Sequence, residues 1–151
     1  MIKTMSSEEF NNYIDKAIYN YAKEKIKAGN WSEEEAFDKA KEEFNRLLPD
    51  KEKTKNHYFF SIYEVVEVIG MIWLNKQTNK HGFIYDINIL DKYQGKGYGK
   101  QAMNEIELFA RRIGIKKLEL HVFAHNKVAI SLYESLGYNT TNIMMTKALN
   151  E

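Results

Sequence analysis

Cysteine is absent from this chain, which excludes a disulfide, a thiolate nucleophile and a zinc–thiolate site. The histidines His57, His81 and His125 are scattered without the paired spacing of a metal site, so no metal is expected. Proline occurs once, at Pro49. No run of about 18 apolar residues occurs, so no membrane span is expected. The start, Met1-Ile2-Lys3-Thr4-Met5-Ser6, lacks the apolar stretch of a signal peptide. Neither sign of charge dominates: 22 basic residues stand against 21 acidic ones, a net charge of +1. Such a balance sets up no field that would favour nucleic acid or an anionic membrane, and neither partner is expected. What is present is 151 residues, 44% apolar and 28% charged, a composition suited to one cytoplasmic domain over residues 1–151 with one core.

Periodicity divides that length into elements. Ser6-Ser7-Glu8-Glu9 has the form of a capping box, and Phe10, Ile14, Ala17 and Tyr21 follow at helical spacing toward Gly29. Ser32-Glu33-Glu34-Glu35 repeats the start signal ahead of Ala36, Ala40, Phe44 and Leu47, with Pro49 after the stop. His57–Tyr63 and Val65–Leu74 read as strands joined by a tight turn, and Phe83–Leu90 reads as a third. A helix is expected over about Tyr98–Ile113, buried through Ala102, Ile106, Ala110 and Ile113 and ended by Gly114. Leu118, Leu120 and Val122 give the next strand one apolar face. Asn126 is placed to cap a helix with Ala129, Leu132, Tyr133 and Leu136 as its stripe. Tyr138–Lys147 is expected to add a last strand, and Ile2–Thr4 a short first one. The order predicts a mixed, mostly antiparallel sheet with helices on both faces, an α/β fold (α+β by some schemes).

The most informative stretch is Gln94-Gly95-Lys96-Gly97-Tyr98-Gly99, lying between a strand and a helix. Glycine lets backbone approach a bound group closely, and the first turn of a helix offers unpaired N–H groups with partial positive charge. Together they make an anion site, most often for phosphate, and Lys96 and Lys100 add charge on either side. A P-loop does not fit. Its first glycine falls on Leu90 or Gln94, and Gln101 stands where Ser or Thr should follow Lys100. A dinucleotide fingerprint can be written as Gly97-Tyr98-Gly99-Lys100-Gln101-Ala102 with Glu119 downstream. However, Asp91-Lys92-Tyr93-Gln94 separate it from the strand, and little chain remains for a second mononucleotide unit.

The pattern Gln/Arg-x-x-Gly-x-Gly/Ala is met in full by Gln94, Gly97 and Gly99. Asn126-Lys127-Val128-Ala129-Ile130-Ser131-Leu132-Tyr133-Glu134-Ser135-Leu136-Gly137-Tyr138 supplies a second pattern, Asn-x-x-Ala-x-x-Leu-Tyr-x-x-Leu-Gly-Phe/Tyr. In both motifs and in their order, the chain resembles the GNAT acetyltransferase superfamily from about Ser61 to Thr146. The resemblance implies an enzyme that moves an acetyl group from acetyl-coenzyme A to a primary amine. Gly95, Lys96, Gly97, Tyr98, Gly99 and Lys100 would then hold the pyrophosphate. Main-chain groups of Ile89, Leu90 and Asp91 would pair with the pantetheine arm, with an amide near Ile89 as oxyanion donor. Asn126 and Ala129 would contact the same ligand, and Tyr133 would act as general acid toward the thioester sulfur. A module that binds acyl-coenzyme A without turnover is the alternative.

The general base is less defined. Asp86 is the first candidate, with Glu64, Glu67 and His121 behind it; a base acting through water, or no base at all, is the alternative. The acceptor pocket is expected between the N-terminal helices and the strand ends, near Tyr13, Tyr19, Tyr21, Trp31, Phe37 and Trp73. Lys41, Glu42 and Glu43 read as a solvated face. Asn142–Thr146, with Met144 and Met145, is an edge at which two copies could pair as a homodimer.

Overall fold

A computed structural model describes residues 1–150 of the chain. Strand β1 (Ile2–Thr4) leads into helix α1 (Ser7–Lys27), whose start is the expected capping box. The Ser6 hydroxyl accepts from the Glu9 N–H at 3.1 Å, and the Glu9 carboxylate accepts from the Ser6 N–H at 2.9 Å. Helix α2 (Ala36–Leu47) starts differently from expectation. Ser32 donates to the Glu35 carboxylate at 2.9 Å, and Lys39 donates to the same carboxylate at 2.6 Å. With Glu35 held by two side chains, no reciprocal cap forms, and the helix begins only at Ala36.

Strands β2 (His57–Glu64), β3 (Glu67–Lys76) and β4 (His81–Ile89) form an antiparallel meander that continues from β1. Helix α3 (Tyr98–Arg112) then crosses to β5 (Lys117–Leu120), which lies parallel to β4, and helix α4 (Lys127–Ser135) follows. The sheet order is β1-β2-β3-β4-β5, mixed and mostly antiparallel.

Alternate residues of one strand point to opposite faces, so neighbouring core residues report which layer covers each side. Phe59, Met71 and Trp73 pack with Phe10, Ala17 and Phe44 of α1 and α2. Their neighbours Phe60, Ile72 and Leu74 pack with Ala102, Met103, Ile106 and Ala110 of α3. Helices therefore cover both faces. Ile72 and Leu74 are fully enclosed, and each such side chain contributes about 1.5–3 kcal/mol by leaving water.

The C-terminal end departs from expectation. Strand β5 stops at Leu120, short of Val122, and α4 has no fully buried residue. The expected strand over Tyr138–Lys147 does not form among the described residues. The exit from α4 is fixed: Gly137 takes φ 95°, the Tyr138 N–H donates to the Tyr133 carbonyl, and the Tyr138 hydroxyl donates to Glu107 at 2.9 Å. From there the chain leaves the sheet, and Ile143, Met144 and Met145 stand in solvent.

Candidate active site

The site begins where two strands part. β4 and β5 pair only as far as Ile84 and Leu120, while β4 continues to Ile89 against β3. Residues 85–89 thus keep a free edge on the β5 side. The Leu90 N–H is engaged in the ladder, donating to the Ile69 carbonyl at 2.8 Å. By the alternation of an antiparallel ladder, the N–H of Ile89 turns to the free edge. Its carbonyl turns the same way and accepts from the Gln94 side-chain amide at 2.7 Å. Gln94 is therefore a brace that folds the loop back on the strand end.

The loop then runs through a 3-10 turn, Asp91–Tyr93, into Gly95 and Gly97 at φ 77° and 88°. No atom lies within 4 Å of where a Cβ would stand on either. Their requirement is conformational, because an L-residue strains at positive φ, and the space beside them is open. Gly97 caps α3 without a side chain, and the first turn carries no acid. The N–H groups of Tyr98, Gly99 and Lys100 have no partner within the helix and face outward with the positive end of its dipole. Lys96 and Lys100 are exposed beside them. Gly99 serves packing instead: a Cβ there would stand 3.3 Å from Leu132 Cδ2, so the start of α3 lies against α4.

That contact brings in Tyr133. It is half-buried against the α3-side core, and its phenol is pushed up to about 12 by burial first and by the charge on Asp86 second. Asp86 accepts a hydrogen bond from the Tyr13 hydroxyl at 2.7 Å. Burial holds the Asp86 carboxyl above the usual range, and hydrogen bonds from Tyr13 and the Ile87 N–H offset part of that rise. A parted strand edge, a helix start with bare N–H groups, a phenol and a partly buried carboxylate thus share one region.

Sequence comparison decides what class of protein carries this arrangement. Residues 18–138 match the model of the acetyltransferase (GNAT) family. The chain belongs to that family. It is 39% identical to the uncharacterized N-acetyltransferase YycN of Bacillus subtilis (strain 168), with 99% of this chain and 98% of that protein covered. YdgE of the same organism, also an uncharacterized N-acetyltransferase, is 36% identical, with 98% and 97% covered. The crystal structure of B. subtilis YycN superposes with a TM-score of 0.95, covering 100% of this chain and 99% of that one. The chain is therefore a GNAT acyltransferase, and acetyl-coenzyme A is the donor typical of its family.

The remaining candidates have the following surroundings in the structure. Asn126 caps α4, its side-chain oxygen accepting from the Ala129 N–H at 3.2 Å, which leaves its NH2 group for other contacts. Glu64 and Glu67, weighed as bases, accept hydrogen bonds from the Tyr98 and Tyr93 hydroxyls. They strap the β2–β3 hairpin tip to the phosphate-type loop. His121 lies edge-on to Phe123, and its partial burial first and Lys25 second hold its pKa down. On the α1/α2 face, Trp73 donates to His57 Nδ1 at 3.0 Å, and Tyr85 stacks on His57 with centroids 6.0 Å apart.

Two residues were misjudged or missed from sequence. Glu43 is half-buried rather than part of a solvated face, and it lies near Tyr21, whose phenol is pushed upward by burial first and by Glu43 second. Tyr13 was legible only as one aromatic among several. Nothing in its helical spacing announces a partner 73 residues away.

Proposed function

We propose that residues 1–151 form a single acyltransferase domain that moves the acetyl group of acetyl-coenzyme A to a primary amine, on a small molecule or a protein, by direct attack through a tetrahedral intermediate. The observation that carries this reading is the free edge of β4 beyond Ile84, running straight into the glycine loop and the bare start of α3. An extended thioester arm fits such an edge as an added strand would. Its pyrophosphate suits the N–H groups from Gly95 to Lys100. The Ile89 N–H then points at the position where the carbonyl oxygen gains charge.

Two side chains supply proton chemistry. Asp86 accepts a proton from the attacking amine as the C–N bond forms, directly or through water. Tyr133 hydrogen-bonds to the sulfur as the C–S bond breaks, so that the departing thiolate is stabilised. A chain without cysteine needs no covalent enzyme intermediate when both substrates share one site.

The acceptor approaches from the α1/α2 face. That face presents Tyr85 over Trp73, with Tyr21, Glu43 and Asp86 close by. Aromatic faces and carboxylates both favour an ammonium-bearing acceptor. Two copies could associate through the unpaired outer edge of β5 and the exposed Ile143–Met145 strip. A monomeric mass by light scattering would remove that association.

Titration calorimetry with acetyl-coenzyme A, coenzyme A and NAD in separate runs tests the donor. Binding of both coenzyme A forms without NAD is expected, followed by free-thiol release when amines are screened. Failure to bind either form overturns the reading. Binding with no thiol release from any amine leaves a non-catalytic module.

A further inference from the structure

We propose that Tyr13, on helix α1, is a positioning residue that holds the Asp86 carboxylate in place for proton abstraction. The inference rests on the reading of Asp86 as base. Its footing is geometric: the Tyr13 hydroxyl donates to Asp86 Oδ2 at 2.7 Å, across 73 residues of sequence. Tyr13 lies on α1 between Phe10 and Ala17, both buried, and its ring packs against Phe59 with centroids 6.4 Å apart. The phenol is thus held by the core on one side and spends its single donor on the carboxylate.

Tyr13 fixes Oδ2, so the carboxylate is held in one orientation for the proton it takes. The titratable groups that face Asp86 are Tyr13 from α1, Tyr133 from α4 and, one residue back along β4, Tyr85. From β3 it faces Trp73, whose indole does not titrate. No cation of the described residues neutralises it in this setting, so the Tyr13 hydrogen bond is the main side-chain contact favouring its ionised form. This arrangement gives α1 a second task. Besides covering the sheet, it supplies a hydrogen bond that favours the charged form of the base.

Removing a hydrogen bond to the charged form raises a carboxyl pKa. Tyr13→Phe should therefore move the acidic limb of the kcat/KM profile to higher pH. Activity should fall about tenfold at the acid end for each pH unit of displacement and recover on the alkaline side. Calorimetry of Tyr13→Phe with acetyl-coenzyme A should be unchanged. Asp86→Asn should lose activity at every pH.

A Tyr13→Phe profile that superimposes on the wild type, while Asp86→Asn is inactive, overturns the positioning role and spares the base. Full activity in Asp86→Asn instead overturns the base, and the role of Tyr13 with it. A measurement on the wild type alone guards against a misfolded variant. The 13C carboxyl signal of Asp86, followed by NMR across pH, should titrate together with a perturbation of the Tyr13 ring signals. Independent titration of the two overturns the proposal.

Discussion

Replacing Tyr133 with phenylalanine tests the chemistry most directly. The ring stays, so packing against Tyr138, at 6.1 Å between centroids, is preserved and stability should change little. Only the hydroxyl is lost. With a pKa near 12, that hydroxyl is fully protonated at neutral pH and always available as a donor. A thiol titrates at about 8.5, so complete transfer from Tyr133 to the departing thiolate would be uphill by roughly 5 kcal/mol at about 1.4 kcal/mol per pKa unit. On the proposed reading, Tyr133 would therefore contribute chiefly a charge-assisted hydrogen bond to sulfur. Such bonds are worth about 1.5–3 kcal/mol, which converts to a loss of about 10- to 150-fold in kcat. Thiol release with a reactive amine reads kcat, and calorimetry reads acetyl-coenzyme A affinity, which should hold within about twofold because the bond develops only as the sulfur gains charge. A kcat within twofold of wild type refutes the role. So does a loss seen only in KM. An alkaline limb near pH 9 that the substitution removes would refute the raised pKa.

The loop and the carboxylate give two further expectations. Gly97→Ala places a Cβ in open space but forces φ 88° on an L-residue, so it should cost about 1–2 kcal/mol of local strain; acetyl-coenzyme A affinity should weaken, and undiminished binding in calorimetry would show that the loop does not hold the pyrophosphate. Asp86→Asn should raise the melting temperature at pH 7. Burial lifts the folded-state pKa of Asp86 above its unfolded value, so the native state loses stability as pH climbs from about 3.9 toward the raised pKa and stays penalised above it. The advantage of the variant should therefore shrink below about pH 4, and a gain independent of pH would contradict the buried charge.

Much of this molecule is legible in its sequence because its key positions obey local rules. The Ser6–Glu9 box, the Asn126 cap and the glycines at positive φ each follow from contacts within a few residues. Gln94, Gly97 and Gly99 are recognisable for the same reason, since the loop bends by its own chemistry. The misreadings arise where several groups compete for one residue. Glu35 was drawn away from capping by Lys39 and Ser32. Glu43 lies in a charged run, yet it is half-buried near Tyr21 of the preceding helix. The last strand failed for another reason. Apolar residues at 143–145 supply strand propensity, but β5 offers only four paired positions against β4, and Tyr138 directs the chain away from the sheet.

Asp86 reaches the α1/α2 side only because β4 breaks its own alternation. Ile84 pairs with Leu74 and points to α3, so strict alternation would turn residue 86 toward α3 as well. A carboxylate there would lie among Ile72, Leu74 and Ile106 with no partner, a cost of several kcal/mol. The register shifts instead between Trp73 and Leu74, leaving Tyr85 as an extra residue. One inserted residue in a bulge reverses every later side chain. Asp86 consequently pairs beside Trp73 and meets Tyr13, while Ile87 and Ile89 return to the α3 side and complete that core. The same bulge bends β4 at the point where its pairing with β5 ends, just past Ile84 and Leu120. The opening that would receive a thioester and the orientation of the carboxylate that would deprotonate the amine thus have one structural cause. Tyr85 is that extra residue, and its ring lies over Trp73 with centroids 4.9 Å apart, which fixes the bulge in place.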